Sequence, residues 1–545
     1  MGVRITVVTI FASLAFSALI FKLYNIQIEK VEYYRAQAAS IYNSGRYLLA
    51  PRGDIYFSDR EGSSVPAALS REYPTIFAVP SSITDLEGAV KFLSSLTGRD
   101  RSQLEKMLSD SEDPYEPVLR KASERQVSLF KENKIPGVDV EYEPARFYPL
   151  GTTASHVLGY VSSGEKDSGG RYGIEAYYDE RLSGVRGKID GDKLRLPKNG
   201  EDVRLTIVRD IQVEAERILK KLVEEHRGAG GTVMVAEPKT GKILAMANLP
   251  NFDPNDYGKF DIKNFLNPAV QAVYEPGSIF KIITMASGID AGKITPETTF
   301  YDTGSLVLNG RKIANWDLKA HGQVTMTNVI EQSINTGAAF AERALGNDLF
   351  YDYLVKFGFK KKTGIDLPGE VAGSLAPLEK NSREINFATA SFGQGVSVTP
   401  IGLVTAIGAI ANHGVMMKPY LNADESPNEL GRVVSNDAAR KVTDMMISAV
   451  NKAGIAAIKG YGVAGKTGTA QVPDFKRGGY TEDVIDTYVG FAPAYDPKFI
   501  VLVKLDKPAG GPHAALTVVP AFREMAQFIL NYYKIPPDNL EATNK

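Results

Sequence analysis

Three short motifs stand in a fixed order along this chain of 545 residues, and any fold it adopts has to accommodate them together. They are Ser278-Ile279-Phe280-Lys281, Ser333-Ile334-Asn335 and Lys466-Thr467-Gly468-Thr469. The first opens an apolar run typical of a buried helix, the second lies in a helical pattern, and the third lies in a strand-like run. If the motifs act as a set, one cleft must bring a helix start, a second helix and a strand edge together.

Each motif also occurs elsewhere in the chain, so local context has to decide which copy matters. The other copies begin at Ser128 and Ser163 (Ser-x-x-Lys), at Ser426 (Ser-x-Asn), and at Lys239 and Lys362 (Lys-Thr-Gly). They lie in charged, proline-broken or polar segments, where a turn or a solvated surface accounts for them. The copy at Ser278 differs because its lysine stands inside an apolar helical run.

The run from Ser278 to Ala286 predicts a helix that is hydrophobic on nearly every side and therefore buried. Lys281 lies one turn after Ser278 on the same face. Burial without a partner lowers the pKa of a lysine towards neutrality. A serine hydroxyl needs such a neighbouring base to become a nucleophile, and the amides at a helix start add positive charge beside it. We therefore interpret Ser278 as a nucleophile and Lys281 as its base.

The second motif falls within a helix-like stretch predicted for residues 324–345. Ser333 can relay a proton towards a leaving amine. Asn335 can hydrogen-bond both a substrate amide and Lys281. The alternative is an ordinary pair of polar residues on a helix surface.

The third motif predicts a ligand-binding strand edge. Gly468 lets another backbone approach closely, and an open strand edge offers amides to an extended peptide. Lys466 with the hydroxyls of Thr467 and Thr469 suits a terminal carboxylate. The amides of Ser278 and Thr469 are candidates for an oxyanion hole, where losing one donor costs on the order of 10²–10³ in rate.

Composition excludes several other classes of function. The net charge is −1 with no long basic run, which argues against nucleic-acid binding. The absence of cysteine excludes a thiol nucleophile and disulfides. The five histidines show no metal-ligand spacing, so we predict neither a metal nor a cofactor.

The N-terminus predicts a membrane anchor. Residues 5–21 carry no charge, Arg4 precedes them, and Lys22 can reach the interface from the end of a spanning helix. The triplet Ala15-Phe16-Ser17 leaves a cleaved signal peptide as the alternative. Under either interpretation, the rest of the chain is exported across the membrane.

Patterning divides the chain into four segments: an anchor (1–28), a second part without a catalytic constellation (29–200), a catalytic part (201–535) and a loose tail (536–545). The catalytic part has strand patterns near both ends, including residues 232–236, 243–247, 462–472, 488–494 and 499–505. Helices predominate between them, and an amphipathic helix follows at 520–533. This order favours an α/β sandwich whose sheet draws strands from both ends, with a helical layer inserted.

With these residues in place, the chain resembles the class B penicillin-binding proteins, which are monofunctional peptidoglycan D,D-transpeptidases. Beyond the three motifs, the similar segments are Tyr274-Glu275-Pro276-Gly277, Gly490-Phe491-Ala492-Pro493, Arg52-Gly53-Asp54, Arg146-Phe147-Tyr148-Pro149, His156-Val157-Leu158-Gly159-Tyr160 and Gly173-Ile174-Glu175. The segment 391–400 is more similar to division-type than to elongation-type enzymes. Two features depart from the family: Ile279 replaces a common threonine, and segment 510–514 differs from the usual sequence before the last helix.

The resemblance implies an α+β penicillin-binding catalytic domain, an elongated α+β pedestal or dimerisation-like domain, and one transmembrane helix. It implies that Ser278 is acylated by stem peptides ending in D-Ala-D-Ala, that D-Ala leaves, and that an amine of a neighbouring stem takes the acyl group. β-Lactams would acylate the same serine. It also implies a bacterial inner-membrane protein with its N-terminus inside and its catalytic domain outside, working beside a membrane-embedded glycan polymerase of the SEDS type.

Two alternatives stay open from the sequence. One is a hydrolase, either a D,D-carboxypeptidase or a β-lactamase, although the Glu-x-x-Leu-Asn segment of class A β-lactamases is missing. The other is a receptor that binds β-lactams without catalysing a reaction.

Overall fold

The structure is a computed structural model that describes residues 2–31, 34, 50–112, 115–164, 167–190, 193–380, 382–474, 476–510 and 513–538. Lys166 of the Ser163 tetrad, residues 511–512 of the segment that departs from the family, and residues 539–545 of the predicted tail lie outside these ranges. The chain forms two compact units. The first comprises Met1–Asp54, Ala68–Phe147 and Glu180–Asp202, and the second comprises Ile55–Ala67, Tyr148–Asp179 and Val203–Lys545.

The helices and strands alternate along most of the chain. The α-helices are α1 (Gly2–Tyr24), α2 (Leu86–Thr97), α3 (Arg101–Leu108), α4 (Glu124–Glu132), α5 (Ser155–Leu158), α6 (Gly173–Tyr177), α7 (Asp179–Ser183), α8 (Arg209–His226), α9 (Pro268–Gln271), α10 (Phe280–Asp290), α11 (Met326–Glu331), α12 (Asn335–Leu345), α13 (Asn347–Lys356), α14 (Glu384–Ala390), α15 (Pro400–Ala411), α16 (Asn436–Ala453) and α17 (Val518–Tyr532).

The β-strands are numbered in the same way, in chain order. They are β1 (Ile55–Ser58), β2 (Ser64–Ala78), β3 (Glu116–Leu119), β4 (Val138–Phe147), β5 (Tyr160–Gly164), β6 (Asp167–Arg171), β7 (Lys188–Asp190), β8 (Lys193–Arg195), β9 (Val203–Val208), β10 (Gly230–Ala236), β11 (Ile243–Leu249), β12 (Thr299–Asp302), β13 (Ser305–Leu308), β14 (Arg311–Ala314), β15 (Gly322–Thr325), β16 (Val415–Met417), β17 (Glu429–Arg432), β18 (Ala464–Pro473), β19 (Tyr480–Ala492) and β20 (Phe499–Asp506).

Helix α1 matches the predicted anchor in position and character. An apolar helical span runs from Arg4 to Glu29, and a window of 18 residues within it has a mean hydropathy of 2.0 and is not buried in the protein. At 26 residues it is long enough to cross a bilayer. Lys22 stands in the last turn of α1, where its stem can extend towards the headgroups.

The first unit is a small α+β body. Strand β2 pairs antiparallel with β3 and with β4. Helices α2, α3 and α4 pack on this sheet through apolar residues such as Leu93, Leu104, Val118 and Phe130. Helix α4 begins with a capping box, in which the side chain of Ser123 accepts from the backbone of Gln126.

The second unit is built on a five-stranded sheet in the order β11-β10-β20-β19-β18, with every neighbouring pair antiparallel. Its strands come from both ends of the unit, as the sequence predicted. Helices α8 and α17 cover one face through residues such as Leu219, Val503 and Phe522. The other face carries a helical layer in which α10 and α15 are buried along almost their whole length. This arrangement confirms the predicted sandwich.

Two local predictions need correction. Asp210 precedes the apolar helical pattern that begins at Ile211, which predicts an N-cap, but it does not cap α8; the helix starts at Arg209 after the extended residue Val208, and Asp210 lies in its first turn. The stretch 324–345 is not one helix, because β15, α11 and α12 divide it, with Ser333 at the break between the two helices. At α15 the dipeptide Thr399-Pro400 predicts an N-cap followed by a first-turn proline, and the structure confirms it, since the side chain of Thr399 caps the helix and Pro400 occupies its first turn.

Candidate active site

Ser278 sits in a tight 3₁₀ turn, Gly277–Ile279, that leads directly into α10. The turn is possible because Gly277 adopts a φ of +56°, a left-handed conformation that a glycine takes without strain. Its backbone N–H donates to the carbonyl of Gly393 at 3.2 Å, which ties the turn to the loop after α14. Ser278 itself is half-buried, and within the described part of the chain its hydroxyl has no hydrogen bond.

Strand β18 lies directly against this turn. A Cβ placed on Gly468 would stand 2.7 Å from the carbonyl oxygen of Pro276 and 3.0 Å from the side chain of Ile279, so no larger residue fits there. A close backbone approach at Gly468 therefore exists, and it is made by the protein's own turn at Ser278. The contact sets Thr467 and Thr469 beside Ser278. Since β18 is an edge strand, half of its amides point away from the sheet.

Ser333 stands at the break between α11 and α12 with a φ of +57°, which is rare for a residue with a side chain. The start of α12 is stabilised by a residue that is distant in the sequence. The side-chain oxygen of Asn315 accepts from the backbone N–H groups of Asn335 (3.1 Å) and Thr336 (3.2 Å). It thereby replaces a local N-cap, which α12 does not have.

The three motifs meet around two lysine amines. Nζ of Lys281 donates to the carbonyl of Ser333 (2.5 Å), to Oδ1 of Asn335 (2.8 Å) and to Oγ of Ser333 (3.2 Å). Nζ of Lys466 donates to the same Oγ of Ser333 at 3.0 Å. The hydroxyl of Ser333 thus bridges the amines of Lys281, which lies one helical turn after Ser278, and Lys466, which lies on the edge strand β18.

Both amines are removed from water. Lys281 is 0% and Lys466 is 4% exposed, and among the described residues the hydrogen-bond partners of both amines are neutral oxygens and not carboxylates. Burial, reinforced by the charge of Lys466, lowers the pKa of Lys281 well below its usual range. Burial alone lowers the pKa of Lys466 to about 7. Lys281 can therefore hold a neutral amine near Ser278 at ordinary pH, as general-base chemistry requires.

A buried network behind Asn335 was missed from the sequence. The carboxylate of Asp302 accepts from the hydroxyl of Thr336 (2.7 Å), the amide of Asn315 (2.8 Å), and the backbone N–H groups of Gly304 and His321 (both 2.9 Å). Asp302 is fully buried, and these four donors offset the cost of burying its charge. The network holds Asn315, and through it the first residue of α12.

We expect the second-order rate constant for acylation of Ser278 to show a bell-shaped dependence on pH. The rate falls at low pH because Lys281 must be neutral to accept a proton, and it falls above about 7 because Lys466 must be charged to hold a carboxylate. Lys466→Arg keeps the charge at every pH and should remove the alkaline limb. Stopped-flow acylation by a penicillin across the pH range measures both limbs. A rate that rises steadily through this range in both proteins would contradict the assignment.

Comparison with known proteins places these features in a family. Residues 231–525 match the model of the penicillin binding protein transpeptidase domain, and residues 47–205 match that of the penicillin-binding protein dimerisation domain. The chain is 34% identical to stage V sporulation protein D of Bacillus subtilis, over 84% of this chain and 74% of that protein. It is 29% identical to the peptidoglycan D,D-transpeptidase FtsI of Escherichia coli, over 90% of this chain and 85% of that protein.

A solved structure shares the fold along nearly the whole chain. Penicillin binding protein 3 from Mycobacterium tuberculosis, crystallised with aztreonam, superposes with a TM-score of 0.69 at 27% identity. The match covers 90% of this chain and 97% of that one. The chain belongs to the penicillin-binding protein transpeptidase family, and the two matched domains place it among the class B members.

Proposed function

We propose that the protein is a peptidoglycan D,D-transpeptidase of cell-wall synthesis that works through an acyl-enzyme on Ser278. One observation carries the residue assignment. A fully buried lysine one turn from a free serine hydroxyl makes hydrogen bonds to both polar residues of the second motif. Relatives named as transpeptidases, FtsI among them, support the same reaction. The division-type resemblance of segment 391–400 favours a role in septal wall synthesis.

The first step is acylation. Neutral Lys281 accepts the proton of Ser278 Oγ as that oxygen attacks the penultimate carbonyl of a stem peptide ending in D-Ala-D-Ala. The backbone amides of Ser278 and Thr469 donate to the developing oxyanion. The proton then passes from the lysine through the Ser333 hydroxyl, which contacts both amines, to the nitrogen of the leaving D-Ala. Lys466 and Thr467 hold the terminal carboxylate during this step.

The second step reverses the proton flow. An amine from a neighbouring stem attacks the ester carbonyl, Lys281 accepts a proton from it, and Ser278 Oγ leaves with a proton returned by the lysine. The product is a cross-link joining two stems by an amide bond. β-Lactams acylate Ser278 in the same way, but their opened ring stays attached and blocks the second step.

The remaining parts of the chain fit a membrane-tethered synthase. Helix α1 anchors the protein in the inner membrane with its N-terminus inside, and the two folded units face outwards. Residues 29–200 act as a non-catalytic pedestal, and residues 201–535 carry the reaction. A glycan polymerase of the SEDS type in the same membrane supplies the strands that are joined.

The reaction is tested by comparing Ser278→Ala with Ser128→Ala. Ser128 begins another Ser-x-x-Lys tetrad but is exposed, so it is a matched control. With nascent glycan strands as substrate, we expect cross-linked dimers from the wild type and from Ser128→Ala, and none from Ser278→Ala. Mass analysis of muropeptides separates dimers from trimmed monomers. Monomers lacking D-Ala, formed without dimers, would identify a carboxypeptidase; equal activity of Ser278→Ala would reject this nucleophile.

A further inference from the structure

The left-handed backbone at Ser333 belongs to the turn that ends helix α11. Gln332 is the C-cap of this helix, and the backbone N–H of Ile334 donates to the carbonyl of Val329 at 3.1 Å. That bond is typical of a Schellman turn, in which the residue after the C-cap takes a left-handed conformation. Glycine is favoured at that position because a side chain is strained there. The chain carries a serine instead, with a φ of +57°, and the proposed reaction needs its hydroxyl.

The preceding residue, Gln332, is held at two points. The indole N–H of Trp316 donates to the backbone carbonyl of Gln332 at 3.1 Å. Nδ1–H of His321 donates to the side-chain oxygen Oε1 of Gln332 at 3.0 Å. A strained conformation persists only where the surrounding structure holds it in place. Because the carbonyl of Gln332 lies in the planar peptide that enters Ser333, fixing Gln332 restricts the backbone of Ser333.

His321 is itself fixed at its backbone and at its ring. Its backbone N–H donates to the buried carboxylate of Asp302 at 2.9 Å. Its side chain is only 16% exposed, and Nε2 lies 3.3 Å from Oδ2 of Asp317. This contact turns Nε2 towards Asp317 and leaves Nδ1 facing Gln332. The bond from His321 to Gln332 is therefore largely shielded from water.

The other polar residue of the second motif, Asn335, is held by different contacts. Its Nδ2 donates to the carbonyl of Ala314 at 2.9 Å, and its Oδ1 accepts from Nζ of Lys281 at 2.8 Å. Neither contact depends on the His321 ring. Loss of that ring should therefore displace the hydroxyl of Ser333 and leave Lys281 beside Asn335.

We propose that His321 is a positioning residue which, by holding Gln332, keeps the Ser333 hydroxyl where it delivers a proton to the leaving nitrogen. The inference rests on the proposed function, because it concerns the proton transfer assigned there to Ser333. It implies an effect that depends on the leaving group. A nitrogen leaves readily only when a general acid protonates it. A thiolate leaves without that proton, since thiols ionise close to neutral pH.

The test compares His321→Leu with His321→Asn. The side-chain amide of asparagine places a donor where histidine has Nδ1, whereas leucine has a similar size and no donor. Acylation of Ser278 is measured by stopped flow with a fluorescent penicillin, whose leaving atom is nitrogen, and with a thioester analogue of the stem peptide. We expect His321→Leu to slow acylation by the penicillin roughly three- to tenfold, and His321→Asn to react at nearly the wild-type rate. With the thioester, all three proteins should react at the same rate.

A second pair of variants changes the partner of the bond. Gln332→Met removes the acceptor and Gln332→Glu keeps an oxygen in its place. Gln332→Met should slow the penicillin reaction as much as His321→Leu does, and the double variant should be no slower than either one. Thermal unfolding checks that each variant folds, and the Gln332 pair gives the same comparison if His321→Leu does not.

Two results would overturn the inference. One is an equal rate with penicillin for the variant that keeps the hydrogen bond and the variant that removes it. The other is equal slowing of the variant without the bond with both substrates, because a general loss of structure does not distinguish leaving groups. If the wild type still forms an acyl-enzyme on Ser278 in either case, the proposed transpeptidase remains and only the role of His321 fails. Absence of an acyl-enzyme in the wild type would instead reject the proposed function.

Discussion

Replacing Lys281 by methionine is expected to slow acylation of Ser278 by about a thousandfold while the protein remains folded. Methionine has nearly the same length and suits the apolar surroundings of α10, where residues 279–286 are buried. What is lost is the amine that donates to Ser333 and Asn335, one helical turn from Ser278. Because a serine hydroxyl at its own pKa is a poor nucleophile, we expect the loss of this base to slow its attack.

Lys131→Met is the matched control for this experiment. Lys131 closes the exposed Ser128 tetrad on α4, so its loss should leave acylation unchanged. Stopped-flow fluorescence with a labelled penicillin gives the rate, and circular dichroism checks the fold. Acylation of Lys281→Met within tenfold of the wild type would mean that another group takes the proton from Ser278.

Asp302→Ala should lower the free energy of unfolding by about 3–5 kcal/mol, the largest effect on stability that we expect from this site. The change leaves two buried backbone N–H groups, a hydroxyl and an amide without their common acceptor. Each loss costs in the range of 1–3 kcal/mol, and losses within one network are not additive. Since Asn315 then no longer holds the start of α12, Asn335 should shift and acylation should slow as well.

Urea unfolding of the second unit measures the change, with Asp352→Ala on the exposed side of α13 as the control. That substitution should alter stability by no more than about 0.5 kcal/mol. Equal effects of the two substitutions would show that the Asp302 network does not stabilise the site.

The sheet and the buried helix were predictable because their signals are local. The runs around Val233 and Val501 are apolar, β-branched and bounded by turns, which is typical of central strands. Helix α10 was recognisable because it is apolar on nearly every side. Lys281 stood out for the same reason, as a single charge whose burial would be costly without a function.

The surroundings of the second motif were harder to predict because they depend on contacts between residues that are distant in the sequence. Residues 324–345 have a helical pattern, yet the left-handed backbone at Ser333 ends α11 before α12 begins. The group that stabilises the new start is Asn315, and Asp302 holds Asn315 in turn. Neither forms a motif with Asn335, so sequence reasoning had no spacing to detect.

Asp486 was also missed, although a signal was present. It is an acidic residue within the strand pattern that runs into Tyr488 and Val489, where burial is expected to exclude a charge. Its partner Thr469, whose hydroxyl donates to Asp486 Oδ1 at 3.0 Å, was recognised, but the contact between them depends on the pairing of β18 with β19.

The most direct test of the central claim, that Ser278 is the nucleophile served by a buried lysine, is mass spectrometry of the protein after reaction with penicillin. Proteolysis followed by fragment sequencing should locate one penicilloyl group on Ser278, at a stoichiometry of one, and Lys281→Met should carry almost none after the same brief exposure. An adduct on Ser333, on Ser128 or on a lysine, with Ser278 unmodified, would contradict the account.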